Sequence, residues 1–149
     1  MTFDIKSFAA FRIHRQGGQV SARFDEIGLS DLTAGDVVVR VTYSDINYKD
    51  ALAATGTAPI LRKYPLAGGI DLAGEVVGSA DPRYTPGQRV LVTGCGLSET
   101  QDGGYAEYAR VQQTAVFEPA IEKPAPKELP RLAAMMDIKP APVIEPPPP

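Results

Sequence analysis

Metal-ligating and nucleophilic residue types are scarce in this chain. Its 149 residues include one cysteine, Cys95, and one histidine, His14. A zinc site takes three or four Cys, His, Asp or Glu ligands, and these two residues cannot supply a Cys/His cluster. A lone cysteine cannot close an internal disulfide, which points to a reducing, cytoplasmic setting. No G-x-S-x-G nucleophile elbow occurs, so serine-type hydrolysis has no support. No apolar run approaches the ~20 residues that a membrane-spanning helix needs. The first residues, Met1-Thr2-Phe3-Asp4-Ile5-Lys6, lack a basic region followed by an apolar one, so neither a secretory signal nor a membrane association is expected. A net charge of −3 leaves no basic footprint for nucleic acid.

What remains is the composition of an ordinary globular domain, 44% hydrophobic and 22% charged, long enough to bury one core. Proline is the unevenly distributed residue. Ten of the fourteen prolines follow residue 118, which divides the chain into a domain over 1–117 and a proline-rich segment over 118–149. Proline density of this kind prevents regular helix or sheet over most of a segment, so 118–149 is expected to be extended and disordered, apart from a short helix around Glu128–Ile138.

Within 1–117 the patterns are those of short strands. Ala10–Arg15 reads as a strand, and Gln16-Gly17-Gly18-Gln19 as a hairpin turn. Val20, Ala22 and Phe24 then alternate with polar residues, as on a half-buried strand. Val37, Val39 and Val41 give the strongest strand signal, after a turn over Thr33–Asp36. The second half of Leu66–Gly78 reads as a strand whose glycines suggest bulges or close backbone approach. Pro86-Gly87 suits the centre of a type II turn before the strand Arg89–Val92. Tyr105–Val111 is the last alternating strand, with Ala115-Val116-Phe117 expected to pair nearby. With no βαβ repeat, the pattern predicts a mainly β (α+β) domain, a compact and largely antiparallel barrel or sandwich with one short helix.

That helix sits in the stretch Tyr43-Ser44-Asp45-Ile46-Asn47-Tyr48-Lys49-Asp50-Ala51-Leu52. Ser44 or Asp45 is expected to cap it, and Gly56 to stop it in the left-handed conformation. Asn47, the single asparagine of the chain, lies three residues before Asp50, so the two share a face of the first turn. Polar groups gathered at a strand-to-helix junction mark the candidate site. Gly94-Cys95-Gly96-Leu97-Ser98-Glu99 begins like a dinucleotide fingerprint but ends in Glu. It also lies between β-like segments and not before a helix, so it is rejected as a pyrophosphate site.

Several motifs occur in one order: Gly35-Asp36-Val37-Val38-Val39-Arg40-Val41; Asn47-Tyr48-Lys49-Asp50-Ala51-Leu52; Tyr64-Pro65-Leu66-Ala67-Gly68-Gly69-Ile70-Asp71-Leu72-Ala73-Gly74; Asp81-Pro82-Arg83-Tyr84 with Pro86-Gly87; and Gly103-Gly104-Tyr105-Ala106-Glu107-Tyr108. Over about residues 8 to 117 the chain resembles the N-terminal, GroES-like domain of the medium-chain dehydrogenase/reductase superfamily. It is most similar to the zinc-free quinone oxidoreductase branch that includes acrylyl-CoA reductase. The resemblance implies a partly open antiparallel barrel and an NADPH-dependent, zinc-independent reduction of an activated carbon–carbon double bond. Zinc-dependent members carry a cysteine where Asn47 stands, and Gly-His-Glu where this chain has Gly69-Ile70-Asp71. By the same resemblance, Asn47, Tyr48 and Asp50 would line the pocket beside the nicotinamide, with Tyr48 as hydrogen-bond donor or positioning group and Asp50 orienting its neighbours. Arg62 and Lys63 would meet phosphates of the cofactor or of a CoA substrate, and Asp71 is a weaker candidate for the pocket wall. The superfamily's Rossmann domain is expected to be absent after Phe117. Three roles therefore follow: a substrate-side half whose Rossmann partner is another chain, a non-catalytic module binding an enoyl-CoA or a quinone, or an interaction protein acting through its proline-rich tail. Self-association through a face normally covered by the second domain is also expected.

Overall fold

The computed structural model describes residues 5–117, so the segment expected to be extended and proline-rich lies outside the described residues. Strand β1 (Phe8–Gln16) turns through Gly17 and Gly18, both at positive φ, into β2 (Gln19–Ile27), in register from Phe8↔Ile27 to Gln16↔Gln19. Two adjacent residues at positive φ suit a turn whose twist matches the flanking strands, and glycine adopts that conformation without a Cβ penalty. Strand β3 (Val37–Tyr43) leads to helix α1 (Tyr48–Thr55). The two-residue strand β4 (Leu66–Ala67), β5 (Asp71–Ser79), β6 (Arg89–Thr93) and β7 (Tyr108–Val111) complete the set.

These strands form two antiparallel sheets, ordered β2-β1-β4 and β6-β5-β3-β7. They do not close into a continuous barrel, and the expected mainly β, GroES-like architecture takes this open form. The segment before β7 joins them. Phe11 N–H donates to the Tyr105 carbonyl at 2.7 Å and Glu107 N–H to the Ala9 carbonyl at 3.1 Å, while Val41 N–H donates to the Glu107 carbonyl at 2.9 Å. The stretch read from sequence as one strand, Tyr105–Val111, is thus divided: its first residues extend β1's sheet, and Tyr108–Val111 pair with β3.

The larger core cluster fills the second sheet. Val37, Val39, Leu72, Val76, Val90, Val92, Ala109 and Val111 are all buried there, covered by Leu97, Ala115 and Val116. Val38 is buried as well, so the alternation expected along β3 holds only from Val39 onward. Ladder shifts fall between Val38 and Val39 and between Val41 and Tyr43. Gly74 faces the second of these, where an added Cβ would stand 2.2 Å from the Arg40 carbonyl oxygen. The glycine expected to mark close backbone approach does so. A smaller cluster of Ile13, Ala53, Leu61 and Leu66 packs α1 on the first sheet.

Two connections follow the sequence reading. Gly87 takes positive φ and Gln88 N–H donates to the Thr85 carbonyl at 3.2 Å, closing the Pro86-Gly87 turn. Phe117 exchanges backbone hydrogen bonds with Leu91 at 2.8 and 2.9 Å, so the chain after β7 does pair nearby. Phe24 departs from its pattern. It lies on the same face of β2 as Val20 and Ala22, which pack on the cluster containing Ala53, yet is 75% exposed, because an open groove separates it from Ala51 and Ala54 of α1.

Candidate functional site

Helix α1 starts later than the local sequence suggests. Its cap is Asn47, not Ser44 or Asp45. The physical reason lies three residues on: Asp50 Oδ2 accepts the Asn47 backbone N–H at 2.9 Å, a contact available only at that spacing. Ser44 and Asp45 have other work. Ser44 Oγ donates to the Asp71 carbonyl at 2.7 Å, and Asp45 Oδ1 accepts the Ile46 N–H at 2.7 Å. Gly56 ends the helix at positive φ, as expected.

Asn47, Asp50 and Asp71 are brought together. Asn47 Nδ2 donates to Asp71 Oδ2 at 2.7 Å. Its second amide hydrogen has no partner among the described residues. Asp50 is 3% exposed, and its other oxygen accepts the Ile70 N–H at 3.1 Å. A buried carboxylate is tolerable when both oxygens are hydrogen-bonded. This one fastens the start of α1 to the turn that leads into β5. The metal positions of the zinc-dependent resemblance, Asn47 and Ile70-Asp71, therefore meet here as an amide–carboxylate pair beside an aliphatic residue.

Tyr48 is placed differently from its expected neighbours. It is 81% exposed, and its hydroxyl has no hydrogen-bond partner among the described residues. Two residues on a helix turn the side chain through about 200°, so Asp50 facing inward sends Tyr48 outward. Arg62 and Lys63 are exposed too. The Arg62 guanidinium stands 3.6 Å from Glu99, and its backbone N–H donates to the Glu99 carbonyl at 2.8 Å. Glu99 also accepts from Lys49 Nζ at 2.8 Å. The Lys49 ammonium, by hydrogen bond and charge, holds the Glu99 carboxyl below its usual range.

Tyr105 was not singled out by its sequence, and it belongs to this site. Its hydroxyl donates to the Asp45 carbonyl at 2.9 Å. Burial first, and then the nearby negative charges of Asp50, Asp45 and Asp71, push its phenol up to about 12. Its ring packs edge-on to Phe11 at 6.2 Å, and Phe11 packs edge-on to Phe24 at 5.4 Å. These three rings, with Ile46, Ala51 and Ala54, line an open groove of about 400 Å³ with Asp50 beside it. The available signal was Gly103-Gly104 before the tyrosine. Gly103 N–H and Gly104 N–H reach the Ala67 and Gly69 carbonyls, both at 2.9 Å, and so bring Tyr105 against the Gly68–Gly69 backbone. Asp102 was missed as well: it is 1% exposed and accepts from the Ala67 and Thr33 N–H groups at 2.7 and 2.8 Å, a structural clasp behind the site.

Gly94–Thr100 opens no helix. It is a tight loop with Gly94 N–H on the Ile70 carbonyl at 2.8 Å and Cys95 exposed. Among the described residues no helix is long and apolar enough to cross a membrane.

Known proteins share this fold. The profile of the alcohol dehydrogenase GroES-like domain matches residues 33–123. The chain is 48% identical over 103 residues to the probable acrylyl-CoA reductase AcuI of Escherichia coli, covering 69% of this chain and 32% of that protein. It is 43% identical over 104 residues to the putative quinone oxidoreductase YhfP of Bacillus subtilis, covering 70% and 32%. The solved yhdH oxidoreductase of Salmonella enterica in complex with NADP superposes with a TM-score of 0.72 at 46% identity, over 75% of this chain and 35% of that one. The chain thus spans about a third of the length of the relatives it matches.

Proposed function

Because this chain belongs to the alcohol dehydrogenase GroES-like domain family, within the medium-chain dehydrogenase/reductase superfamily, we propose that residues 1–117 are the substrate-side domain of a zinc-independent, NADPH-dependent reductase of activated carbon–carbon double bonds. The observation that carries the reading is the Asn47–Asp71 contact at 2.7 Å. It fills the positions of two metal ligands in the zinc-dependent relatives with groups that satisfy each other. An enoyl thioester, an enone or a quinone is the substrate class, and the cytoplasm is the setting in which an exposed, unpaired Cys95 stays reduced.

The residues present fit the nicotinamide end of the cofactor. Asn47 offers an unused amide hydrogen, Tyr48 an exposed ring and hydroxyl, and Arg62 and Lys63 exposed cations toward phosphate. The adenosine end finds no glycine-rich strand-to-helix turn among the described residues, so those contacts are assigned to a Rossmann domain, on the same polypeptide or on a partner chain. NADPH, when bound, supplies a hydride. Conjugate reduction then leaves negative charge on the substrate's carbonyl oxygen and requires a proton at the α-carbon. Such a site works by placement and by hydrogen-bond donors more than by a nucleophile. Asp50 and Asp71 hold Asn47 in one orientation, and Tyr48 is the candidate donor.

A fluorescence titration with NADPH tests this reading. Saturable binding tighter than ~1 mM, which is about 4 kcal/mol, together with NADPH-dependent enone reduction, supports catalysis by the chain as it stands. Tyr48→Phe is then expected to lower kcat about tenfold with little change in KM. The groove lined by Phe11, Phe24 and Tyr105 supports a second reading, a ligand-binding module without catalysis. Quinone binding with no NADPH binding would favour it.

A further inference from the structure

A second cavity, of about 570 Å³, opens at the other end of β3. Val38 lies in its wall, and roughly 17 Å of extended strand separates Val38 from Tyr43, where β3 ends beside the Asn47 site. The function proposed above uses none of its residues. Strand register builds it. Val38 pairs with Arg110 on one side and with Gly78 on the other. Directly opposed residues point to one face of a sheet. The Arg110 side chain therefore rises beside Val38, and Gly78 leaves the other flank free of side chain. Val38 is 6% exposed yet joins none of the packed hydrophobic clusters. It forms an apolar floor, and Ile5 and Leu29 add aliphatic wall.

Two opposite charges stand in this wall without meeting. Arg110 Nε donates to the Gly35 carbonyl at 2.9 Å. That bond fixes the guanidinium and leaves its remaining N–H hydrogens without a partner among the described residues. The residue after Gly35 is Asp36. Its N–H donates to the Val111 carbonyl at 2.9 Å, and its own carbonyl accepts the Ala80 N–H at 2.8 Å, so its backbone is fixed too. Its carboxylate has neither a hydrogen bond nor an ion pair among the described residues. Lys6, exposed, adds a second cation to the lining. A guanidinium takes a carboxylate through two parallel hydrogen bonds, and a carboxylate takes an ammonium. We propose that this cavity is a second binding site, for an aliphatic α-amino acid, whose carboxylate meets Arg110, whose ammonium meets Asp36 and whose side chain lies over Val38 and Leu29. A plain anion would face the like charge of Asp36, and a plain amine that of Arg110. A ligand carrying both charges on one carbon satisfies both groups, and the apolar floor takes the rest of it.

The test titrates the full chain and follows backbone chemical shifts. Its ligands are leucine, 4-methylpentanoate, which lacks the ammonium, and 3-methylbutylamine, which lacks the carboxylate. Leucine is expected to bind saturably and more tightly than either fragment, with the largest shifts at Val38 and Gly78 and not at Asn47. Arg110→Gln is expected to weaken leucine and 4-methylpentanoate about tenfold, the scale of a bidentate charge-assisted contact, and to leave 3-methylbutylamine unchanged. Asp36→Asn is expected to weaken leucine and 3-methylbutylamine about fivefold, the scale of one ion pair at a half-exposed position, and to leave 4-methylpentanoate unchanged. The ligand spared by each variant shows that the cavity still folds. Absence of saturable leucine binding would overturn the proposal. So would leucine binding no tighter than 4-methylpentanoate, the mark of a general anion site. Equal losses for all three ligands in either variant would assign that side chain a structural role and overturn it as well.

Discussion

The contact of Asn47 with Asp50 shows how far single residues were readable. Their spacing of three placed them on one face, and the structure makes that proximity a 2.9 Å hydrogen bond. The same spacing contained the correct cap, since a carboxylate at the third helical position selects the backbone N–H three residues earlier. Ser44 and Asp45 looked equally suitable because capping preference ranks residue types and not their rivals for other bonds. The exposure of Tyr48 follows from helix phase once Asp50 is known to face inward, and nothing local to the sequence gave that direction. Asp50→Ala should destabilise the chain by about 2 kcal/mol, because two backbone N–H groups lose a charged acceptor in a buried position; urea unfolding measures it, and an unchanged midpoint would mean water replaces the carboxylate. Tyr105 carries a pH prediction. Its folded-state value of about 12 exceeds the ordinary 10.0, so the folded chain keeps this proton after the unfolded chain has released it. The stabilisation is complete below pH ~10 and is lost as pH rises toward ~12. Absorbance titration of the six tyrosines should show one late step, absent in Tyr105→Phe.

Hairpins and turns were the most legible elements. Gly17-Gly18 and Pro86-Gly87 carry their geometry in residue type, and both formed as read. The strands over 20–25 and 105–111 were read correctly as extended, and the hairpin turn named β1 as the partner of β2, but what covers each face was not legible, because alternation identifies a buried face without naming what covers it. Phe24 lies on the inward face of β2 and stays open because a groove, and not packed side chains, separates it from Ala51 and Ala54 of α1. Tyr105–Val111 looks uniform in sequence and serves two sheets. Gly74 tests the geometry of the second sheet directly. Gly74→Ala places a Cβ against the Arg40 carbonyl at a ladder shift, where backbone and not a flexible side chain must yield. A cost of about 2 kcal/mol or more is expected, read as a fall in melting temperature. A variant that melts with the parent would show that the β3–β5 ladder can slide to absorb the methyl.

At the scale of the molecule, the fold class was legible because many short punctuated strands leave few architectures. The separation into two sheets was not, since closure depends on long-range pairing that no local pattern encodes. Phe24, Ile46, Tyr43 and Tyr48 are each more than 70% exposed, and two of them line one groove. Self-association is therefore expected, with the sedimentation mass rising with concentration and falling back in Phe24→Ser/Ile46→Ser. Monomeric behaviour of the parent across the same range would refute it. The segment that joins the sheets also governs the order of assembly. Residues 103–111 provide the outer neighbour of β1 through Tyr105 and Glu107, and that of β3 through Tyr108–Val111. Neither sheet can be finished by the first hundred residues. During synthesis the β1–β2 hairpin and the β3–β5 pair can form first, but one edge of β1 and one edge of the valine strand β3 stay open until residue 111 has left the ribosome. Closure is then a single late event dominated by contacts between distant residues, the kind of topology that folds in milliseconds to seconds and meets chaperones on the way.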